Sequence, residues 1–258
     1  MGGFLIITIG IVHGANDISI LKRWRQTSSV ALTLLYIGVV LLGCVAFFFF
    51  PALALPTFVG VSAYHFGEQH WENRLGHHHY HFWLYLLYGC FVFSLLFYCH
   101  AYQVQEVVAG ISGQTLSQRI FFPLLLGSGF ALFTLMVFRS ELRPYLLFES
   151  ILAVLLLAIF SQGSLILAFG FYFVVWHSYP SLKSQFDFLY GPKNFFSNVG
   201  TYIQSSLLYW LLAVVGLSIA YSYVDFTASY VLPLFFTFLA AITFPHVVVI
   251  HWMFDPKK

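Results

Sequence analysis

Apolar runs of about 20 residues follow one another along almost the entire sequence, and only short polar segments interrupt them. A helix needs about 20 mostly apolar residues to cross the hydrocarbon core of a bilayer. We count nine such runs, at residues 3–20, 29–50, 53–70, 82–101, 119–138, 144–161, 164–180, 204–222 and 230–252. The sequence therefore predicts an all-α, polytopic membrane helix bundle that forms a single domain over residues 1–258. Its longest loops are predicted at about 102–118 and 181–203, and the second could hold a short interfacial helix around Phe186–Tyr190.

The scarcity of charge supports this prediction and excludes two classes of protein. Charged residues make up 8% of the chain, whereas soluble domains contain about 25%. The formal net charge of +2 is too small to form a surface that follows nucleic-acid phosphates. We therefore expect neither a soluble globular domain nor a nucleic-acid partner.

The basic residues fall on one side of the predicted bundle. The connections after even-numbered spans contain one basic residue, Arg119. The segments after odd-numbered spans contain ten basic residues: Lys22, Arg23, Arg25, Arg74, Arg139, Arg143, Lys183, Lys193, Lys257 and Lys258. Cytoplasmic connections of membrane proteins are enriched in Lys and Arg. This asymmetry predicts a multi-pass protein of the inner (plasma) membrane, with its N-terminus outside and its C-terminus in the cytoplasm.

Four histidines lie near the C-terminal ends of the first, third, seventh and ninth predicted spans: His13, His65, His177 and His246. In the predicted topology these ends face the same side, and the helical rise of about 1.5 Å per residue places the histidines at a similar depth. A polar side chain inside a membrane is costly, and its presence favours a functional role. The common depth therefore favours one shared metal site over four separate core histidines.

Two of these histidines have a carboxylate nearby in the sequence. Asp17 follows His13 by four residues and Glu68 follows His65 by three, so each pair can share one face of a helix. A carboxylate in this position can orient a metal-ligating imidazole through its second ring nitrogen. Imidazole ligands suit iron, copper or zinc, and nearby carboxylates favour iron.

The remaining histidines are expected to lie outside this site. His251 follows His246 by five residues, about 140° around a helix, so the two should not bind the same ion. The histidine-rich run at 77–81 is predicted to be an interfacial loop.

Four segments surround the four histidines, in the order HGANDISI, YHFGEQHW, FYFVVWHSYPSL and TFPHVVVIHW. Together they resemble the Brp/Blh family of membrane β-carotene 15,15′-dioxygenases, which make retinal for microbial rhodopsins. The resemblance extends from His13 to His251. It implies a non-haem Fe2+ enzyme that uses O2 to cleave β-carotene at its central double bond into two retinal molecules, with a functional link to a microbial rhodopsin.

The resemblance also implies roles for individual residues. His13, His65, His177 and His246 would be the catalytic iron ligands, Asp17 and Glu68 would orient them, and Tyr64 and Trp176 would form walls of the substrate pocket. Family members usually carry a second histidine four residues after the first in the third motif, and this chain has Ser181 there. Either the four histidines form the complete ligand set, or one ligand has been lost and the metal, the substrate or the activity has changed.

Other functions remain open at this stage. One is a non-catalytic membrane carrier for a metal or a lipid, and another is a divergent histidine-site oxidoreductase acting on a different lipid. A di-iron desaturase would need denser histidine boxes than this sequence contains. The aromatic residues, 21% of the chain, could line a tunnel for a conjugated substrate or fill the space between helices.

Overall fold

The computed structural model describes residues 2–25, 28–75, 80–191, 195–222 and 228–254. Within these ranges every regular element is helical, which confirms the all-α prediction for them. The α-helices are α1 (Gly2–Leu5), α2 (Asp17–Arg25), α3 (Ser29–Phe49), α4 (Pro51–Trp71), α5 (His81–Cys99), α6 (Ala101–Ser112), α7 (Phe121–Phe138), α8 (Leu146–Phe160), α9 (Leu165–Tyr172), α10 (Tyr179–Tyr190), α11 (Phe195–Ser222) and α12 (Ala228–Phe254). Short 3-10 turns precede α7 and α8, and two π-helical segments cover Ile6–Gly10 and Phe173–Ser178.

Seven helical segments are long and apolar enough to cross a membrane: Val30–Phe49, His81–Cys99, Gln118–Phe138, Arg143–Phe160, Leu165–Tyr190, Ser197–Ser222 and Val231–Phe254. They match seven of the nine predicted runs and indicate a membrane protein. The other two runs are different in the structure. A turn at residues 13–16 interrupts the first, and the third becomes α4, whose last part is polar. The count of nine and the orientation of the termini stay predictions.

Helix α4 lies at the centre of the bundle and packs closely on α5. A β-carbon at Gly67 would collide with the carbonyl oxygen of Tyr85, and one at Gly89 would collide with that of Ala63. Glycines at both places let the two backbones touch, as small residues do between membrane helices. His65 lies between Ala63 and Gly67, so this contact fixes the part of α4 that carries it.

The two π-helical segments pack against each other and flank two of the predicted site residues. One ends three residues before His13, and the other contains His177. A π-helical turn has an extra residue, which changes the direction of the side chains after it and is frequent at functional sites. The local backbone therefore departs from a regular α-helix at both histidines.

Candidate metal centre

The four histidines that the sequence singled out meet inside the bundle, and all four are buried. Their rings form a closed circuit of edge-to-face contacts. Ring centroids are 5.0 Å apart for His13 and His177, 4.8 Å for His177 and His65, 5.2 Å for His65 and His246, and 4.7 Å for His246 and His13. Residues from four separate parts of the chain thus create one imidazole cluster.

Three of these imidazoles lie close enough together that they could hold a metal ion. His13, His177 and His246 each offer one ring nitrogen, and these nitrogens lie within 4.8 Å of one another. His65 is outside this group of three but contacts the rings of two of its members. The cluster could therefore bind a metal through three nitrogens, with His65 beside it.

Unpaired ring nitrogens provide an independent test of whether a metal fits here. Both nitrogens of His65, Nδ1 of His177 and Nε2 of His246 are buried without a hydrogen-bond partner. Burying a polar atom without a partner costs about 1–3 kcal/mol, and such atoms are rare in native structures. Each neutral imidazole has one nitrogen with a free lone pair, and a metal ion would give one nitrogen on each of these three rings the partner that it lacks, so the donor set fits one.

Asp17 orients a histidine of this cluster, although a different one from that predicted. Nδ1 of His246 lies 2.9 and 3.0 Å from the two carboxylate oxygens of Asp17. The hydroxyl of Tyr36 donates to the same carboxylate at 2.8 Å. The predicted pairing of Asp17 with His13 is wrong, because the turn at 13–16 breaks the helix on which that spacing would align them. His13 Nδ1 instead donates to the carbonyl oxygen of Gly10.

Glu68 also differs from its predicted role. Its Oε2 atom is 3.6 Å from Nδ1 of His65, which is too long for a hydrogen bond. Its Oε1 atom accepts a hydrogen bond from Nδ1 of His251 at 2.6 Å and a longer one from the Tyr64 hydroxyl at 3.4 Å. Glu68 therefore lies next to the cluster but is hydrogen-bonded to the outer histidine, His251, whose side chain is 55% exposed.

Ser181 belongs to a buried polar network behind His13. Its hydroxyl accepts a hydrogen bond from Nε2 of Gln185 at 3.2 Å, and the same amide donates to the carbonyl oxygen of His13 at 2.8 Å. The Tyr202 hydroxyl donates to Gln185 Oε1 at 2.8 Å. Gln185 was not predicted as a site residue, because 181–203 was predicted to be a loop. On a helix, its position four residues after Ser181 places the two side chains on one face.

A family model described as Beta-carotene 15,15'-dioxygenase matches residues 4–254. The chain belongs to this family. A search of curated proteins and a search of solved structures each found no significant match. The matched region includes all four clustered histidines, and membership of the β-carotene dioxygenase family indicates a carotenoid dioxygenase.

The imidazole cluster of this β-carotene dioxygenase family member faces a cavity of about 100 Å³. All four histidines line it, together with aromatic and aliphatic side chains from several helices, among them Phe58, Phe66, Phe93, Phe169 and Phe173. Phe66 stacks on the His177 ring at 4.4 Å and Phe173 does so at 5.3 Å. Such walls are consistent with an apolar carotenoid substrate.

Two residues that the sequence assigned to the pocket lie elsewhere. Tyr64 packs against Phe82 and Tyr85, and Trp176 lies parallel to Tyr172 and faces a separate, more polar cavity. Neither lines the cavity beside the histidines. Their direct neighbours in sequence, His65 and His177, point into the cluster, and adjacent helical residues point in different directions. Most of the predicted histidine-rich loop, at 76–79, lies outside the described residues, as do residues 255–258 at the C-terminus.

Proposed function

We propose that this protein is an Fe2+-dependent dioxygenase of the plasma membrane that cleaves β-carotene at its central 15,15′ double bond. The observation that supports this most is the buried imidazole cluster, with unpaired nitrogens, on an aromatic cavity in a chain of this family. In the overall reaction the central carbon–carbon double bond breaks and each atom of one O2 molecule becomes an aldehyde oxygen. The products are two molecules of retinal, and no further reductant is needed.

We assign the iron ligands to His13, His177 and His246, with His65 as the fourth. Ferrous iron, when bound, supplies the redox chemistry that O2 requires, and imidazoles are suitable ligands for it. Four neutral imidazoles leave the charge of the ion unbalanced, and Asp17, hydrogen-bonded to His246, supplies a negative charge next to the cluster. Ser181 is not part of this ligand set.

The contacts around the cluster keep its rings in position. The Asp17 carboxylate holds Nδ1 of His246 and leaves Nε2 free for a metal. The Gly10 carbonyl holds Nδ1 of His13 in the same way. A ligand whose second nitrogen is fixed keeps its tautomer and its orientation.

The cavity walls contribute by positioning the substrate. Phenylalanine rings from α4, α5 and α9 surround the space beside the histidines and make its walls apolar. A long conjugated chain held between these rings has few orientations available. The bond that is cleaved is then decided by which part of the chain lies next to the cluster.

The proposal is tested by expressing the protein in a bacterium that accumulates β-carotene and measuring retinal by chromatography. We expect retinal to appear as β-carotene disappears, and His13→Ala to abolish both retinal formation and bound iron. His100→Gln is the matched control, since His100 is also buried but lies outside the cluster. It should retain iron and activity.

Two results would contradict the proposal. One is unchanged β-carotene in cells whose membranes contain the wild-type protein, and carotenoid that copurifies unchanged would favour a carrier. The other is full activity of the His13→Ala variant.

A further inference from the structure

A second, larger cavity adjoins the one that the histidines face. It has a volume of about 360 Å³ and is bounded by α4, α5, α6, α7, α9 and α12. Phe58, Phe93 and Phe169 line both cavities. The two cavities thus adjoin at these phenylalanine side chains, and together they extend from the imidazole cluster towards the start of α4.

The distance from the imidazole cluster to the far end of this second cavity can be estimated along α4. The residue of α4 in the imidazole cluster is His65, and Leu55 and Ala52 line the second cavity near the start of the same helix. Ten residues separate His65 from Leu55, which corresponds to about 15 Å at 1.5 Å per residue. An extended carotenoid is comparable in length to the hydrocarbon core, about 30 Å, so half of the molecule is also about 15 Å long.

Helix α6 lies across the far end of the second cavity. It packs on α4 and α12 and contributes Val104, Val107 and Val108 to the lining. The polar residues in the lining are Ser112, whose hydroxyl donates to the carbonyl oxygen of Val108 at 2.8 Å, and the exposed Gln114. The rest of the lining is apolar, so the chemistry of the wall matches an unsubstituted hydrocarbon ring better than a hydroxylated one.

We propose that this second cavity binds one half of the symmetric carotenoid, with its terminal ring against α6, and that its depth selects the bond to be cleaved. This inference rests on the proposed function and adds a specificity determinant to it. A ring seated against α6 brings the middle of the polyene to the imidazole cluster. A shallower cavity displaces the polyene, so that a double bond nearer the seated ring reaches the histidines.

The test is to make the cavity shallower with Val108→Trp and identify the aldehydes formed from β-carotene. We expect retinal to be replaced by an unequal pair, one aldehyde shorter than retinal and one longer, each carrying one oxygen atom from O2. Glu106→Trp is the matched control, because Glu106 is exposed on the same helix and does not line the cavity. This variant should still form retinal alone.

Each outcome separates this inference from the proposed function. A second variant, Leu55→Trp, narrows the same end of the cavity from α4. If both tryptophan variants form retinal alone, the inference is overturned and the dioxygenase assignment stays intact. If a variant retains iron but forms no aldehyde, loss of copurifying β-carotene supports the inference, and carotenoid bound at the wild-type level overturns it. Absence of retinal from the wild-type protein contradicts the proposed function itself.

Discussion

At the scale of single residues, Asp17 is the carboxylate that holds a histidine of the cluster through a direct hydrogen bond. It is buried, accepts from Tyr36, and pairs with Nδ1 of His246. Asp17→Asn keeps the size of the side chain but removes the charge and replaces one acceptor with a donor. Loss of a partner of this kind lowers metal affinity by about 10–100-fold.

Iron titration of purified protein measures this effect. Tyr36→Phe is the control, since it removes one hydrogen bond to Asp17 and keeps the carboxylate, and it should weaken iron binding much less. Equal affinity of Asp17→Asn and the wild type would show that His246 does not depend on Asp17.

Ser181 gives a second prediction at this scale, since the resemblance to the Brp/Blh family implies a histidine at this position. The Ser181 hydroxyl accepts a hydrogen bond from Gln185. When Ser181 is changed, Gln185 keeps its hydrogen bonds to the His13 carbonyl and the Tyr202 hydroxyl. Ser181→Ala should therefore cost about 1 kcal/mol of stability and leave the iron content and retinal formation near the wild-type level.

Elemental analysis of purified Ser181→Ala tests this directly. His177→Ala, one helical turn earlier, is the comparison, and it should lose the metal. Loss of iron from Ser181→Ala would mean that the serine oxygen takes part in the site after all.

Residue identity and spacing predicted the members of the cluster but not all of their partners. The four histidines could be found because polar residues inside apolar runs are conspicuous and similar depth implies proximity. The partner of Asp17 could not be predicted from spacing. Residues four apart share a face only on a regular α-helix, and the turn at 13–16 and the π-helical segments interrupt that helix. The link between Glu68 and His251 joins two different helices, so no local spacing indicates it.

At the scale of helices, the contact between α4 and α5 holds His65 in place. Gly89→Ala should destabilise the protein by about 1–3 kcal/mol. The β-carbon of the new alanine would collide with the Ala63 carbonyl, so the two helices would have to separate. Gly127→Ala is the matched control. A β-carbon there meets nothing within 4 Å, and alanine is the better helix former by about 1 kcal/mol.

Thermal unfolding in detergent distinguishes the two alanine variants. Gly89→Ala should lower the midpoint and release iron, whereas Gly127→Ala should match or exceed the wild type. The same midpoint for Gly89→Ala and the wild type would show that the helices do not need to be this close.

Helix α6 shows where hydropathy alone is insufficient at this scale. The loop predicted at 181–203 is wrong for the described residues, which lie in α10 and α11 apart from Gly191. Residues 102–118 were also predicted to form a loop, and this is wrong for most of that range, since α6 covers Ala101–Ser112. Its sequence alternates polar residues with Val104 and Val107, and those valines are buried. A short amphipathic helix is stabilised by tertiary packing, so only its contacts with α4 and α12 decide that it forms.

At the scale of the whole molecule, burial separates inner helices from peripheral ones. In α12, which carries His246, 56% of the residues in the most apolar stretch are buried inside the bundle, whereas in α11 only 6% are. The histidine-bearing segments thus lie among the inner helices, and α3, α7, α8 and α11 present apolar side chains outward. Such an arrangement suits a membrane protein that binds its substrate between helices.

The distribution of the cluster along the chain has a consequence for biosynthesis. His13 lies in the turn that precedes α2, and His246 lies in α12, the last helix described. The circuit of four imidazoles therefore cannot close until α12 has been synthesised and has packed against the earlier segments. Under the proposed function, the full set of four ligands becomes available to an ion only at that stage, so its loading is a late step of folding.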